Sequence, residues 1–395
     1  MYIKRHLQKI FQTALNKFPA VLITGPRQSG KTTFLKNELN PNTSYVSFDD
    51  TLERMFANED PVSLINKYEG KSVILDEIQY VPNLFSHIQM DIQKNRHTNG
   101  KWIMTASQES DLLNNFRASL SDSIASFNMF PFHTLENIFL EGQSIEKLIW
   151  QGGYPDNILY SKKRDIWFSN YIQTFIERDV RQLIQVQDLN TFQTFLGICA
   201  SMNGQELNMA SLSRQVGITK PTCKKWISIL SASFIILMIQ PYFQNFKKRL
   251  IKSPRLYFFD QAMAVYLTKQ PDPMSMFEGA MGSKFFEGFI VTEVYKTLIS
   301  NNVNANCYFW RSHDGLEIDL IIEINGKTWP VEIKKIATPS PKHTQSLIKF
   351  GKLASHVDIA GVKIVCNAKD KQMVSAGIEA LPWIEFIKSF AAIIF

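Results

Sequence analysis

The chain contains 395 residues, of which 45% are hydrophobic and 20% are charged, and its formal net charge is +7. This length excludes a single small domain, and the composition is ordinary for soluble globular proteins. A net charge of this size on so long a chain indicates a polyanionic partner only where basic residues cluster.

The cysteines and the apolar segments indicate a cellular location. The four cysteines are widely spaced, which argues against a zinc site or a secreted disulfide framework and favours reduced, buried thiols. No apolar segment of signal-peptide type follows the basic start, and the most apolar run, 227–239, is too short to span a bilayer. We therefore expect a cytoplasmic protein.

The N-terminal region alternates short apolar segments with helical ones. Strands are predicted at 20–24, 44–48, 72–75 and 101–105, and a helix is predicted over 31–39. Short, continuously apolar strands separated by helices are typical of a parallel sheet that helices cover on both faces. This region is therefore predicted to be an α/β domain.

The first predicted strand runs into a segment that matches the phosphate-loop pattern GxxxxGK[ST], made of Gly25, Pro26, Arg27, Gln28, Ser29, Gly30, Lys31, Thr32 and Thr33. Glycines let the backbone wrap a phosphate and direct N–H groups at it, and the following helix presents its positive end. Lys31 would reach the β- and γ-phosphates, and Thr32 would bind Mg²⁺. The segment predicts an ATP site.

Acidic and polar residues follow the third and fourth predicted strands. Asp76 and Glu77 stand where a Walker B motif is expected, so that Asp76 would hold Mg²⁺ through water and Glu77 would polarise the attacking water. Ser107 or Gln108 would contact the γ-phosphate or that water. The alternative for Ser107 is the N-cap of a helix.

The middle region, 141–275, is predicted to be mainly helical and to contain a helix-turn-helix. A helix over 209–218 ends at a glycine, and a second helix follows over 219–230. The segment 244–249 would form a basic wing. This winged-helix region would bind DNA, or it would pack on the ATPase domain or a partner with its lysines solvated. The residues expected at DNA are Lys220, Thr222, Lys224 and Lys225.

The last region, 276–395, is predicted to contain a helix over 284–300 and a strand pair joined by the hairpin signal Asn325-Gly326. A further strand is predicted over 362–366. These elements indicate a second α/β domain.

Acidic residues in this region have the spacing of the PD-(D/E)xK nuclease core. Asp319 enters the first strand, and Glu332 and Lys334 share one side of the second because side chains alternate along a strand. In such a core Asp319 and Glu332 would bind Mg²⁺, Lys334 would orient the attacking water, and Glu293 or Glu287 would complete the set. The alternative is a nuclease-like fold that binds or assembles without cleaving.

The motifs GPRQSGKTT, ILDEIQYVPNL, TASQ, GGYP and YIQTFIERDV occur in this order and together resemble a family of prokaryotic AAA+-type ATPases. The likeness covers nearly the whole chain. It implies an ATPase domain, a winged-helix region and a C-terminal domain of unknown function, which correspond to 1–140, 141–275 and 276–395. The fold class is therefore α/β: a RecA-like P-loop sheet, a winged-helix region and a PD-(D/E)xK-like domain.

One departure from the family concerns an arginine. The family pattern has a Leu-Ala-Gly-Arg-like turn before the last strand of the ATPase domain, and the matching stretch here, 120–124, lacks the arginine. An arginine there would stabilise charge that develops on the γ-phosphate. Without it, hydrolysis is slow, or Arg117, Arg178 or Arg181 substitutes.

Three functions stay open at this point. The chain is an ATP-driven switch that acts on DNA, an ATP-gated and metal-dependent nuclease, or a non-hydrolysing ATP-dependent binding protein with a protein partner. ATP and Mg²⁺ are the expected cofactors, and a homo-oligomer is compatible with each function.

Overall fold

A computed structural model describes residues 2–136, 142–159, 164–181, 189–242, 253–354, 357–375 and 377–394. The chain divides into two compact units. The first contains Met1–Phe132 together with the short segments Ala232–Phe234 and Ile299–Asn302, and the second contains the remainder. Within the described ranges, no helix is long and apolar enough to cross a membrane.

The first unit is built on a five-stranded parallel sheet, as its alternating apolar segments predicted. Its strands are β1 (Ala20–Thr24), β2 (Ser44–Ser47), β3 (Val73–Asp76), β4 (Trp102–Ala106) and β5 (Ile124–Asn128). The spatial order is β2-β3-β4-β1-β5, and all neighbours run parallel. Every residue of β1, β3 and β4 is buried, which explains why these strands are apolar throughout.

Helices in this unit are α1 (Gln8–Leu15), α2 (Lys31–Glu38), α3 (Thr51–Glu59), α4 (Pro61–Lys67), α5 (Leu84–Lys94) and α6 (Asp111–Ser119). Neighbouring residues of β1 enter different apolar clusters, because side chains alternate along a strand. Leu22 belongs to one cluster with Met104, and Ile23 belongs to the other with Ile103. The sheet is therefore buried on both faces, and its polar residues concentrate where the strands end.

The helices that follow in the chain are α7 (Ile145–Gln151), α8 (Pro155–Leu159), α9 (Arg164–Phe175), α10 (Leu189–Ser201), α11 (Met209–Val216), α12 (Lys220–Ala232), α13 (Gln261–Leu267), α14 (Pro273–Glu278), α15 (Gly282–Ser300), α16 (Gln345–Leu353) and α17 (Trp383–Ile394). Both predicted helices of the helix-turn-helix are present, as α11 and α12. Gly217 ends α11 in the left-handed conformation, with φ of 80°, which glycine adopts without strain.

The strands of the second unit form one continuous sheet. They are β6 (Gln205–Glu206), β7 (Ile236–Pro241), β8 (Arg255–Phe258), β9 (Ala305–Arg311), β10 (Glu317–Ile324), β11 (Lys327–Lys334), β12 (Asp358–Ile359), β13 (Lys363–Cys366), β14 (Gln372–Ser375) and β15 (Ile378–Pro382). The spatial order is β14-β15-β13-β11-β10-β9-β7-β8-β6, and β12 pairs with β11.

The continuous sheet joins the two regions that the sequence divides at residue 275. β7 from the middle region pairs in parallel with β9 from the last region, with Gln240 next to Tyr308. Main-chain hydrogen bonds therefore link the two regions, and they belong to the same compact unit. Apolar periodicity gives no sign of such pairing, because it reports which face of a strand is buried and not which strand lies beside it.

The hairpin predicted at Asn325-Gly326 connects β10 to β11. Both turn residues have positive φ, 51° and 79°, as a two-residue hairpin turn of type I′ requires. The strands pair in antiparallel register, with Leu320 next to Val331. This register brings Asp319 beside Glu332.

The four cysteines are free thiols, as their spacing predicted. Cys199, Cys223 and Cys366 are buried, and burial raises the pKa of each thiol. A raised pKa leaves little thiolate at neutral pH, so these side chains act as small apolar groups in the core.

Candidate functional site

The phosphate loop has the backbone conformation that its glycines allow. Gly25 and Gly30 have φ of 148° and 94°, and Gln28 also lies in the left-handed region at 59°. A side chain at Gly25 would stand 2.1 Å from the carbonyl oxygen of Met129, so only glycine fits. Gly30 precedes the first residue of α2, whose N-terminal end is thereby exposed to the loop.

Lys31 is buried beneath the loop and held by its carbonyls. Its Nζ donates to the carbonyl oxygens of Gly25 at 2.8 Å and Pro26 at 2.9 Å, and the residue is only 4% exposed. The buried Ser29 hydroxyl has no hydrogen-bond partner in the described part of the chain. A buried ammonium and an unsatisfied hydroxyl in one loop are groups that phosphate oxygens would satisfy.

Asp76 accepts three hydroxyl hydrogen bonds at the end of β3. Thr32 and Tyr45 each donate to Oδ2 at 2.7 Å, and Thr105 donates to Oδ1. The predicted pair Thr32 and Asp76 is therefore brought together, and its oxygens fit a Mg²⁺ ion bound with the phosphates. Tyr45 and Thr105 were not predicted. Thr105 could have been found, because it lies near the end of the strand beside β3.

Glu77 is fixed by the residues that end the neighbouring strand. Its carboxylate accepts hydrogen bonds from the Ser107 hydroxyl and from Gln79 at 2.6 Å, and its N–H donates to Thr105 Oγ1 at 3.0 Å. The residue is buried and left-handed, with φ of 60°. A strained conformation that neighbouring hydrogen bonds maintain is typical of functional positions. The structure thus brings Glu77 together with Ser107, next to Asp76.

The carboxyl group of Glu77 remains charged despite its burial. Burial raises its pKa, but the cationic side chains of Lys31 and Arg27, together with the hydrogen bonds from Ser107 and Gln79, outweigh this effect. The net result is a pKa below the ordinary value for glutamate. A charged carboxylate is the form that a general base requires.

The arginines proposed to replace the missing one have partners in the structure. Arg117 on α6 lies 3.4 Å from Glu109, just before this helix, and donates to Asn114 at 2.9 Å. Arg181, in the second unit with Arg178, forms a 2.7 Å ion pair with Glu177.

The second of the two helices predicted to form a helix-turn-helix carries an exposed basic surface. Lys220, Lys224 and Lys225 are exposed on α12, and Thr222 is half-buried in its first turn. The Thr219 hydroxyl accepts the Thr222 N–H at 3.2 Å and caps this helix. The basic segment predicted as a wing, 244–249, lies outside the described residues.

The hairpin of the second unit brings together the ExK residues and the strand aspartate. Lys334 Nζ lies 2.6 Å from Glu332 Oε1 and 3.4 Å from Asp319 Oδ2. The three side chains line a cavity of about 450 Å³. Burial and the Asp319 carboxylate raise the pKa of Glu332 to about 7. Burial lowers the pKa of Lys334, but the two carboxylates outweigh it and raise that pKa above its ordinary value.

The helix glutamate at this cluster is Glu287, and the prediction for Glu293 is corrected. Glu287 lines the same cavity as Asp319. Glu293 instead accepts hydrogen bonds from Thr134 and a 2.8 Å bond from Lys296. Six residues along a helix correspond to a rotation of roughly 240° beyond one full turn, so the two glutamates of α15 face different directions.

Arg255 occupies the centre of the carboxylate cluster and was not predicted from the sequence. The residue begins β8 and is 2% exposed. Its guanidinium lies 3.4 Å from Glu287 and 3.5 Å from Asp319, and it also pairs with Glu317. The nearby carboxylates outweigh the effect of burial and raise the pKa of Arg255 above its ordinary value. Arg255 is therefore a fixed positive charge among the acids.

The predicted Mg²⁺ ligands Asp319 and Glu332 are both held by protein donors, and Asp319 also faces the Arg255 cation. Asp319 Oδ2 accepts the Ile333 N–H at 2.9 Å besides its contact with Lys334, and Oδ1 faces Arg255. Glu332 accepts bonds from Lys334 and, at 3.1 Å, from Ser346. Protein donors thus engage both carboxylates. Across the described ranges, no three His, Cys, Asp or Glu side chains are grouped so as to hold a metal ion.

Family models match three consecutive parts of the chain. Residues 17–138 match the AAA domain family. Residues 142–273 and 283–386 match two domains of unknown function, DUF8612 and DUF4143. The match to the AAA domain includes the phosphate loop and the strands that carry Asp76 and Ser107.

Individual relatives and solved structures are similar to this chain at low sequence identity. Uncharacterized proteins Mb2031c of Mycobacterium bovis and Rv2008c of Mycobacterium tuberculosis are each 26% identical over 83% of this chain and 73% of their own length. The Walker-type ATPase of Pyrococcus abyssi is 14% identical over 68% of this chain and 96% of its own, with a TM-score of 0.46. The Thermotoga maritima RuvB Holliday junction branch migration motor is 15% identical over 60% and 89%, with a TM-score of 0.32.

The phosphate-loop geometry, the parallel sheet and the family match agree with one another. Residues 17–138 of this chain match the AAA domain family and form a P-loop domain around a five-stranded parallel sheet.

Proposed function

We propose that the chain is an ATP-hydrolysing switch that acts on DNA. The observation that carries the hydrolysis part is the meeting of a charged, buried Glu77 with Asp76 and Ser107 at the edge of the sheet where the phosphate loop lies. Nucleotide binding alone does not require a buried carboxylate at this position. Hydrolysis by general-base catalysis does, because the carboxylate accepts the proton of the attacking water.

Each residue of this site has a separate task in the proposed reaction. Mg²⁺, when bound with ATP, neutralises charge on the β- and γ-phosphates. Thr32 and Asp76 would hold the Mg²⁺ ion. Lys31 would exchange its hydrogen bonds to the loop carbonyls for hydrogen bonds to phosphate oxygens. Glu77 would accept the proton of the attacking water, while Ser107 keeps the carboxylate in one orientation.

The test of hydrolysis is phosphate release from ATP by the full chain, in Mg²⁺ and in EDTA. We expect release in Mg²⁺ alone, because Thr32 and Asp76 need the ion to engage the phosphates. A protein that binds ATP in Mg²⁺ and releases no phosphate would refute hydrolysis and favour the non-hydrolysing alternative with a protein partner.

Replacing Lys31 with alanine should weaken ATP binding about 100-fold, because its charged hydrogen bonds to phosphate contribute about 3 kcal/mol. The measurement is titration with a fluorescent ATP analogue. Lys9→Ala is the control, since Lys9 is an exposed lysine on α1 of the same unit. Equal affinities of the two variants would contradict the assignment of the phosphate loop.

The DNA part of the proposal is supported by the basic surface of α12. The second helix of a helix-turn-helix enters the major groove, where its flanking lysines meet phosphates. Exposed lysines at Lys220, Lys224 and Lys225 suit that contact. The competing interpretation is a winged helix that serves protein contacts with its lysines in solvent.

Changing these three lysines to glutamate should abolish binding of duplex DNA at low salt. Each phosphate contact that the wild type makes contributes roughly 0.9 to the slope of log affinity against log salt, so its slope should reflect about two or three such contacts. Gel shifts over a salt series measure both the affinity for DNA and its dependence on salt. The control changes three other exposed lysines, Lys352, Lys369 and Lys371, to glutamate. Equal binding by the two triple variants would remove DNA from the proposal.

The nuclease alternative rests on the cavity that Asp319, Glu332 and Lys334 line. It is less well supported, because protein donors engage the carboxylates and Arg255 stands between two of them. Nicking of supercoiled plasmid in Mg²⁺ or Mn²⁺ that is lost in Asp319→Ala would favour it. We propose a cytoplasmic protein, and a homo-oligomer remains a proposal that sedimentation would test.

A further inference from the structure

Arg27 is a cation inside the phosphate loop, two residues after Gly25. Its side chain is only 11% exposed, and its guanidinium donates to the Tyr80 hydroxyl and lies 3.7 Å from Asp49 Oδ2. Tyr80 belongs to the short turn that follows Glu77, formed by Ile78–Tyr80. Arg27 thus spans from the loop that wraps the phosphates to the turn that carries the catalytic carboxylate.

Arg27 and Lys31 are two cations of one phosphate loop. Lys31 is the residue expected at the β- and γ-phosphates, and Arg27 lies four residues before it and contacts Tyr80, three residues after Glu77. This geometry places a second cation between the phosphate loop and the turn that follows Glu77. The ion pair with Asp49 is long, and the Asp49 side chain is 38% exposed. Such a pair is weak enough to exchange for a phosphate oxygen.

We propose that Arg27 is the arginine that stabilises the γ-phosphate in the transition state, in place of the arginine absent near Ser123. The inference rests on the proposed ATP hydrolysis and names the cation of that reaction. Arg27 is then supplied by the same chain and by the same loop as Lys31. This arrangement requires no arginine from α6, from the second unit or from another subunit.

The reaction itself balances without a covalent step on Arg27. Water attacks the γ-phosphorus, the bond between that phosphorus and the β–γ bridging oxygen breaks, and its electron pair stays on ADP. Glu77 takes the proton that the water loses, and phosphate is released. Negative charge grows on the bridging and γ-oxygens as the bond breaks, and a guanidinium there lowers the barrier by charge-assisted hydrogen bonds.

The competing interpretation is that Arg27 has only a structural role. A substitution at Arg54 distinguishes this role from one in catalysis. The guanidinium of Arg54 lies 4.3 Å from the centroid of the same Tyr80 ring, and it donates to the Phe48 carbonyl at 2.8 Å. If Arg27 only supports Tyr80, Arg54→Ala should reproduce the effects of Arg27→Ala. If Arg27 acts on the nucleotide, only the change at Arg27 should affect turnover.

The experiment compares wild type, Arg27→Ala, Arg27→Lys and Arg54→Ala in the full chain. We expect Arg27→Ala to lower kcat about 100-fold or more, with ADP affinity changed less than about threefold. Arg27→Lys should recover part of kcat, because it keeps the charge and loses the bidentate geometry. Arg54→Ala should stay within about twofold of wild type.

Nucleotide affinity gives a readout that does not depend on turnover. The ratio of the dissociation constant of ADP to that of ADP with aluminium fluoride, a mimic of the transition state, should fall about tenfold or more in Arg27→Ala, because the proposed contact is made to the γ-group in the transition state. A wild type that releases no phosphate would refute the proposed hydrolysis, and this ratio would still test Arg27. An unchanged ratio, or an equal loss of affinity for both ligands, would overturn the role of Arg27.

Discussion

Replacing Glu77 with glutamine is expected to lower ATP turnover by about 100-fold or more while ATP still binds. Glutamine has the same shape and still accepts the hydrogen bond from Ser107 through its carbonyl oxygen. It cannot take a proton from water. Phosphate release and the binding of a fluorescent ATP analogue, measured on the same preparation, separate catalysis from affinity.

The control for this substitution is Glu109→Gln. Glu109 follows the neighbouring strand, its side chain is 30% exposed, and it pairs with Arg117. Its loss should leave turnover within about twofold of wild type, since a half-exposed ion pair contributes little. Turnover that survives Glu77→Gln would mean that the general base is another residue or that no general base is used.

Replacing Arg255 with alanine is expected to lower the free energy of unfolding by about 3–5 kcal/mol. The residue is buried and contacts the carboxylates of Glu287, Asp319 and Glu317. Alanine would leave Glu287 and Asp319 buried without this cation, and a buried charge that loses its partner is costly. Urea denaturation monitored by fluorescence measures the change.

Arg311→Ala provides the matched control for Arg255. Arg311 also pairs with Glu317, at 3.2 Å, and with Glu206 at 2.8 Å, but its side chain is 52% exposed. Its removal should leave the midpoint of denaturation nearly unchanged, because solvent already screens these pairs. If the two variants lost equal free energy of unfolding, the burial of the Arg255 cluster would not determine how much it contributes to stability.

The nucleotide site was predictable because its residues are consecutive in sequence and stand at strand ends. The phosphate loop follows β1, Asp76 ends β3 and Glu77 follows it, so the parallel topology places all of them at the same edge of the sheet. Tyr45 was not predictable. It lies on β2, and its bond to Asp76 depends on the pairing of that strand with β3 and on a side-chain rotamer.

The carboxylate cluster was predictable only in part. The turn at Asn325-Gly326 fixes the register of its hairpin, and that register brings Asp319 beside Glu332. The contact with Arg255 spans 64 residues of sequence and depends on the order of strands in the sheet. Local sequence patterns contain no information on such order. Glu293 was misassigned because it was selected by residue type and not by its direction on the helix.

The most direct test of the central claim is phosphate release by the full chain in Mg²⁺ and ATP, with and without duplex DNA, beside Glu77→Gln. The account predicts turnover by the wild type that rises when duplex DNA is added at low salt, and none above background for the variant. Equal phosphate release by wild type and Glu77→Gln, whether DNA is present or absent, would contradict it.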